Sequence, residues 1–240
     1  MSVAWLAGSA VIAAAGFVMG LAGFGIALVA MAFLPYLMSP MTAVILLTIY
    51  ALVFALAMLV QLRRDVVPAA IVDLLVGTVL GTPLGMWVLA TLPVSALSRL
   101  IGAVLIVAVL LEWVGWYPTG LTGRGWGIGA GVLAGLIGAA VGTPGPPVVI
   151  YAATQGWNPR TVKANLQAFF VVNQAVILVG YWWAGWLGAE VWTLAASFAV
   201  PAVLGAAAGA LLFERVDQVR FRRLVFALLF VSGAALLVRG

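Results

Sequence analysis

Long apolar runs separated by short polar punctuation make up almost the whole chain. From Met1 to Leu62 there is no charged residue, and only Gly20–Gly25 and the Ser39-Pro40 pair interrupt the run. About 20 apolar residues cross a bilayer's hydrocarbon core. The run therefore divides into an interrupted segment A (3–37) and a whole segment B (42–62), which Arg63-Arg64-Asp65 ends. The same reading gives C (68–92), D (95–113), an interrupted E (125–154), F (161–183), G (189–213) and H (221–238). The pattern predicts an all-α integral membrane bundle. Trp113, Trp116, Tyr117, Trp157, Tyr181, Trp182, Trp183 and Trp186 gather at segment ends, where an aromatic belt meets the headgroups.

Composition sharpens this picture. Only 7% of the 240 residues are charged and 66% are hydrophobic, so the chain cannot cover itself in water, and lipid is its expected surroundings. One transmembrane domain, 1–240, is the expected organisation. The first apolar run has no Lys or Arg before it and leads into further spans, so no cleavable leader is expected. The chain has no Cys and no His, which excludes disulfides, thiol chemistry, imidazole relays and most transition-metal sites. No cofactor and no metal is expected, and an intramembrane enzyme would lack its nucleophile or metal. The net charge of +5 sits in short loops, where it reads as a membrane-orientation signal and not as a nucleic-acid surface.

The chain also repeats itself. Gly20-Leu-Ala-Gly23 aligns with Gly135-Leu-Ile-Gly138, and Ser39-Pro40-Met41-Thr42 with Asn158-Pro159-Arg160-Thr161. Gly81, Gly85 and Arg99 align with Gly205, Gly209 and Arg223. Two repeats, 1–118 and 119–240, each contain an interrupted segment and three whole ones. If A and E are single spans, the basic residues divide seven to four across the membrane; if each goes in and comes back, they divide nine to two. The positive-inside rule prefers the second path, which makes the repeats inverted and puts both termini outside the cytoplasm.

The two breaks, Gly20–Gly25 and Gly142–Pro147, are the leading site candidates. Irregular backbone at membrane depth must line a cavity, and the half-helix that follows presents free N–H groups and a positive dipole end, which suit an anion. Candidate substrate-binding residues are Gly20, Gly23, Gly25, Gly142, Thr143, Gly145 and Val148, the last as the first free N–H of a half-helix starting near Pro146 or Pro147. The alternative for the GxxG glycines is close helix packing. Segment F adds Asn165, Gln167, Asn173 and Gln174, either as amide donors to the substrate or as interhelical ties. Arg160 and Lys163 at the start of F would form a vestibule or gate, or only orient the chain. Proton coupling would need Asp73, expected beside Arg63 or Arg64, or else Glu112, Glu190 or Glu214 at segment ends.

Gly20-Leu-Ala-Gly23-Phe-Gly25 with its apolar run to Pro35, and Gly135-Leu-Ile-Gly138 through Gly142 to Pro147, resemble the TauE/SafE family of sulfite exporters. So does the late Gly-x-x-x-Gly followed some 14 residues on by Arg in each half. The family's first motif commonly carries three successive glycines, where Ile26 and Ala27 follow Gly25 here, and the second copy is unusually rich in proline. The resemblance implies a transporter in a bacterial inner (plasma) membrane, with lipid and a small anion such as sulfite or an organosulfonate as partners. A channel-like facilitator and a non-transport membrane subunit are the alternatives.

Overall fold

The computed structural model describes residues 3–22, 25–114, 120–121, 123–212, 215 and 217–239. Among them the regular elements are all helical: α1 Val3–Ala22, α2 Ile26–Met31, α3 Pro40–Leu62, α4 Val72–Thr91, α5 Val94–Val114, α6 Arg124–Val141, α7 Gly145–Ala153, α8 Pro159–Trp183, α9 Ala189–Leu212 and α10 Gln218–Arg239. Six of these, α3, α4, α5, α6, α8 and α9, are long and apolar enough to cross a membrane. The interrupted segments are each two helices: A is α1 and α2, and E is α6 and α7.

Helix starts follow from local chemistry. Asn158 caps α8, its Oδ1 accepting from the N–H groups of Arg160 (3.1 Å) and Thr161 (2.9 Å), with Pro159 in the first turn. Ser39 precedes α3 in the same way, its Oγ accepting from the Thr42 N–H (3.1 Å), with Pro40 next. The Ser39-Pro40 and Asn158-Pro159 pairs are therefore both helix starts.

The chain forms two compact units, Met1–Leu47 with Leu92–Gly115 and Gly188–Gly240, and Thr48–Thr91 with Trp116–Leu187. In the first, α1 packs on α9, and α5 packs antiparallel on α10, Gly102 against Gly233 and Trp113 stacked on Phe230 at 5.6 Å. In the second, α4 lies parallel to α6, with Gly77, Gly81 and Gly85 seated on the carbonyls of Ile128, Val132 and Leu136. Glycine lets two backbones approach this closely, and lipid-embedded helices depend on such packing because no hydrophobic effect drives them together.

The same contact recurs in the other unit, where Gly205 and Gly209 of α9 sit on the carbonyls of Ala13 and Phe17 of α1. Gly81 to Gly205 and Gly85 to Gly209 each step 124 residues along the chain, while Ala13 to Val132 and Phe17 to Leu136 each step 119. The reciprocal contacts agree: Gly16 meets the Ala202 carbonyl as Gly135 meets that of Thr78. Gly135 therefore answers to Gly16 and not to Gly20, which corrects the motif alignment by one helical turn.

Segment E goes in and comes back. Along α7 and beyond it, Pro144 lies against Gly138, the Tyr151 hydroxyl against Gly127, and Gln155 Nε2 donates to the Leu121 carbonyl at 3.0 Å. Rising numbers in α7 meet falling numbers in α6, so the two form a hairpin that returns to its starting end. The single-span alternative fails for this segment. Helix α8 then runs parallel to α4 and α6, with Asn165 beside Val67 at one end and Gly180 beside Met86 at the other.

Trp113, Trp126, Trp182, Trp183 and Trp192 are exposed near helix ends, as an aromatic belt requires. Trp116 and Tyr117 lie outside the described residues. Tyr181 departs from the belt: it is fully buried and donates its hydroxyl proton to the Ala139 carbonyl at 2.7 Å.

Candidate functional site

The second break is built from three residues. Gly142 takes φ 77, a left-handed conformation that glycine reaches without strain, and its N–H caps the Gly138 carbonyl at 2.9 Å. Thr143 and Pro144 reverse the chain, and α7 begins at Gly145. Tyr181 accompanies the turn from α8. Its bond to Ala139 satisfies a carbonyl in the last turn of α6, where intrahelical donors run out.

Helix α7 starts at Gly145, one residue before the expected start near Pro146 or Pro147, and the shift changes which N–H is free. The N–H groups at a helix's first three positions have no intrahelical acceptor, and the fourth is the first bonded to the cap's carbonyl. Pro146 and Pro147 occupy the second and third positions and have no N–H at all. Gly145 is thus the one free donor of this terminus. Val148 falls at the fourth position, is fully buried, and packs in an apolar cluster with Leu74, Tyr151 and Phe169.

One feature marks the turn as polar and unfinished. The Thr143 hydroxyl is buried, with the residue 3% exposed, and has no hydrogen-bond partner among the described residues. Gly138 is closely packed near the turn: a side-chain carbon there would lie 3.0 Å from Cδ1 of Ile177, 3.1 Å from Cβ of Pro144 and 3.4 Å from Oδ1 of Asn173.

All four amides of α8 point inward and are buried. Asn165 accepts from the Val67 N–H through Oδ1 (2.8 Å), tying α8 to the strand of chain before α4, while its Nδ2 has no partner. Asn173 donates through Nδ2 to the Thr78 hydroxyl (2.7 Å), tying α8 to α4, while its Oδ1 has no partner. Gln174 also keeps an unpartnered Oε1, and Gln167 is buried on the same helix. For Asn165 and Asn173 the tie and the open site group are two ends of one amide. A buried polar atom left unpaired costs about 1–3 kcal/mol, so a wall that keeps several of them is a candidate for ligand contact.

At the other end of the same helices stand the charges. Asp73 pairs with Arg124 (3.3 Å) and not with Arg63 or Arg64, and Asp65 pairs with Arg160 (3.2 Å). Both arginines are mostly exposed, and Lys163 beside them is exposed too. Such pairs contribute little to stability. Their effect is local: one links the starts of α4 and α6, and the other links the turn after α3 to the start of α8. Glu190 is exposed at the start of α9, Glu112 lies in the last turn of α5, and Glu214 is outside the described residues.

The first break lies between Ala22 and Ile26. Gly20 backs directly onto the Ala206 carbonyl of α9, so the packing alternative accounts for it. Gly23 lies outside the described residues. Gly25 takes φ 96 and caps α2, a helix of only 6 residues whose Val29 N–H bonds back to the Gly25 carbonyl at 3.1 Å.

Tyr181 and Thr78 are the site's unforeseen members. In the sequence Tyr181 stands among belt tryptophans, and Thr78 is one more small residue of a membrane helix. The only sequence signal for Thr78 is its place among Gly77, Gly81 and Thr82 on the packed face of α4.

A chain whose described residues form helices only, several of them apolar and of membrane length, belongs to the class of polytopic integral membrane proteins. The model of the Sulfite exporter TauE/SafE family matches residues 9–236, and the chain belongs to that family. Proteins of that family are membrane transporters, and membership makes this chain an integral membrane transporter of the sulfite-exporter kind. No curated protein and no solved structure matches the chain.

Proposed function

We propose that the protein carries a small sulfur-containing oxyanion, sulfite or an organosulfonate, across the membrane by alternating access, with the anion held at the break between α6 and α7. The observation that carries this reading is the buried, unpartnered Thr143 hydroxyl, set two residues before the free N–H of Gly145. A hydroxyl and an N–H at the positive end of a helix are the donors a sulfonate oxygen needs, and they require no buried Lys or Arg. Arg160 and Lys163 stand where the pathway would have its cytoplasmic mouth and would raise the local anion concentration there, with the unpartnered Nδ2 of Asn165 one turn further along α8. Asp73 keeps Arg124 in place there.

The experiment is uptake of labelled sulfite, sulfonates and thiosulfate into proteoliposomes, for the chain and for Thr143→Val. Uptake of one of these should saturate, and the variant should raise its half-saturation concentration roughly tenfold, the loss of one hydrogen bond to a charged group. Uptake of none, or full activity in Thr143→Val, would count against the site. Flux that saturates only weakly and ignores the proton gradient would favour the channel-like facilitator.

The halves 1–118 and 119–240 are proposed as inverted repeats, with both termini outside the cytoplasm of a bacterial cell and the mouth inside. The recurring packing at steps of 119 and 124 residues supports the repeat. The gathering of Arg63, Arg64, Arg124, Arg160 and Lys163 at one end of their unit supports the orientation. Because the chain has no Cys, single cysteines beside Arg64 and at the C-terminus can be probed with an impermeant maleimide on intact cells. The terminus should label and the Arg64 position should not. Labelling in the reverse pattern rules the orientation out.

A further inference from the structure

A hydrogen-bond chain from α6 through α4 to α8 decides which end of the Asn173 amide faces the break. The Gly131 carbonyl can only accept, and the Thr78 hydroxyl donates to it at 3.4 Å. That uses the hydroxyl's single proton, so the same oxygen accepts from Nδ2 of Asn173 at 2.7 Å. The Thr78 main-chain carbonyl is taken in turn by the Thr82 hydroxyl at 2.8 Å. The Asn173 amide therefore turns its oxygen the other way. This Oδ1 is fully buried, has no partner among the described residues, and lies near Gly138, the residue that Cβ of Pro144 at the break also packs against. Gln174, the next residue, also carries a buried acceptor oxygen without a partner.

An acceptor in this place is a poor neighbour for a fully ionised oxyanion, because two oxygens with no proton between them repel. It is a good neighbour for an O–H group. We infer that the site takes its anion in a form that carries a proton donor: a hydrogen oxyanion such as hydrogen sulfite, or a hydroxyl-bearing sulfonate. The ionised oxygens lie toward the Gly145 N–H and the Thr143 hydroxyl, and the O–H bonds to Oδ1 of Asn173. Thr78 is the positioning residue that keeps the amide the right way round. The inference rests on the reading of the break as an anion site, and it adds the protonation state and shape of the anion.

A matched pair of probes tests it. Hydroxymethanesulfonate and ethanesulfonate have the same charge and nearly the same size, and differ by a hydroxyl in place of a methyl. Their dissociation constants for the purified full chain in lipid nanodiscs are measured by titration calorimetry. The hydroxyl-bearing probe should bind about tenfold tighter or more, because the probe that lacks it leaves a buried acceptor unpaired. Thr78→Val removes the hydroxyl that orients the amide, lets Asn173 turn its NH₂ group to the ligand, and should bring the ratio toward one. Loss of packing alone would weaken both probes together. Equal affinities in the unaltered chain would overturn the inference and leave the anion site standing. A ratio unchanged in Thr78→Val would remove Thr78 from the positioning role. Binding of neither probe, nor of sulfite, would overturn the inference together with the proposed function. Should Thr78→Val not fold, the ratio in the unaltered chain decides by itself.

Discussion

Leucine in place of Gly145 should reduce uptake of labelled sulfite into proteoliposomes to the protein-free background, in a variant that still inserts and purifies as a single species. The reason lies in two properties of the position. Gly145 is the first residue of α7 and has an ordinary helical backbone, so a side chain costs no strain there. Around it there is room: a side-chain carbon would meet only Cζ of Phe170, at 3.9 Å. The protein should therefore fold. Yet the four added carbons stand beside the only free N–H of the terminus and next to the Thr143 hydroxyl, where the anion is proposed to lie. Gly145→Ala adds one carbon at van der Waals distance and should give an intermediate rate. Gly142→Leu is the less informative variant, since its left-handed φ of 77 penalises any side chain by about 1–2 kcal/mol whatever happens at the site. Full uptake by a well-folded Gly145→Leu protein would remove the anion from this break.

How far the sequence can be read depends on which features are local. Charge-free runs and their Gly and Pro interruptions are local, so the spans, the two breaks and the proline-led starts of α3 and α8 are legible from residues alone. The hairpin in segment E is legible only through the count of basic residues on each side, which is an indirect signal. The start of α7 is misread by one residue because either of two successive prolines, or the glycine before them, can open a helix. That small shift has a chemical consequence, since it moves the free donor from Val148 to Gly145. Partner choice is not local. Asp73 stands eight residues from Asp65, and each could have taken Arg63 or Arg64; instead Arg124 and Arg160 reach them from other helices. Tyr181 and Thr78 matter through what they touch on α6 and α8, and no pattern along the chain records those contacts. The amides of α8 are legible as costly residues in a membrane span. Which end of each amide is tied and which is open becomes clear only when Val67 and Thr78 are in place.

The glycines divide into two sets whose alanine variants should behave in opposite ways. At Gly81 a β-carbon collides with the Val132 carbonyl of α6, and at Gly205 with the Ala13 carbonyl of α1. Both obstacles are main chain inside a helix, so neither can swing aside as a side-chain tip would. Gly81→Ala and Gly205→Ala should each destabilise the protein by about 3 kcal/mol, the upper range for overpacking, with the helix pair forced apart. Because the two contacts are the same contact in two units, their effects should also be alike in size. Gly129, on the exposed side of α6, meets nothing within 4 Å. Gly129→Ala should be neutral, or stabilising by up to about 1 kcal/mol, from helix propensity alone. Thermal unfolding in detergent, followed by loss of the monodisperse peak, separates the sets. If Gly81→Ala melts with the unaltered chain, or Gly129→Ala melts as early as Gly81→Ala, backbone contact is not what holds these helices. If Gly81→Ala is severe and Gly205→Ala is mild, the two units are not held by equivalent seams, and the repeat loses its main physical support. Two matched losses against a neutral control would mean that the motif glycines of α4 and α9 act in assembly, which leaves the chemistry of transport to the break at Gly142–Gly145 and the amides that face it.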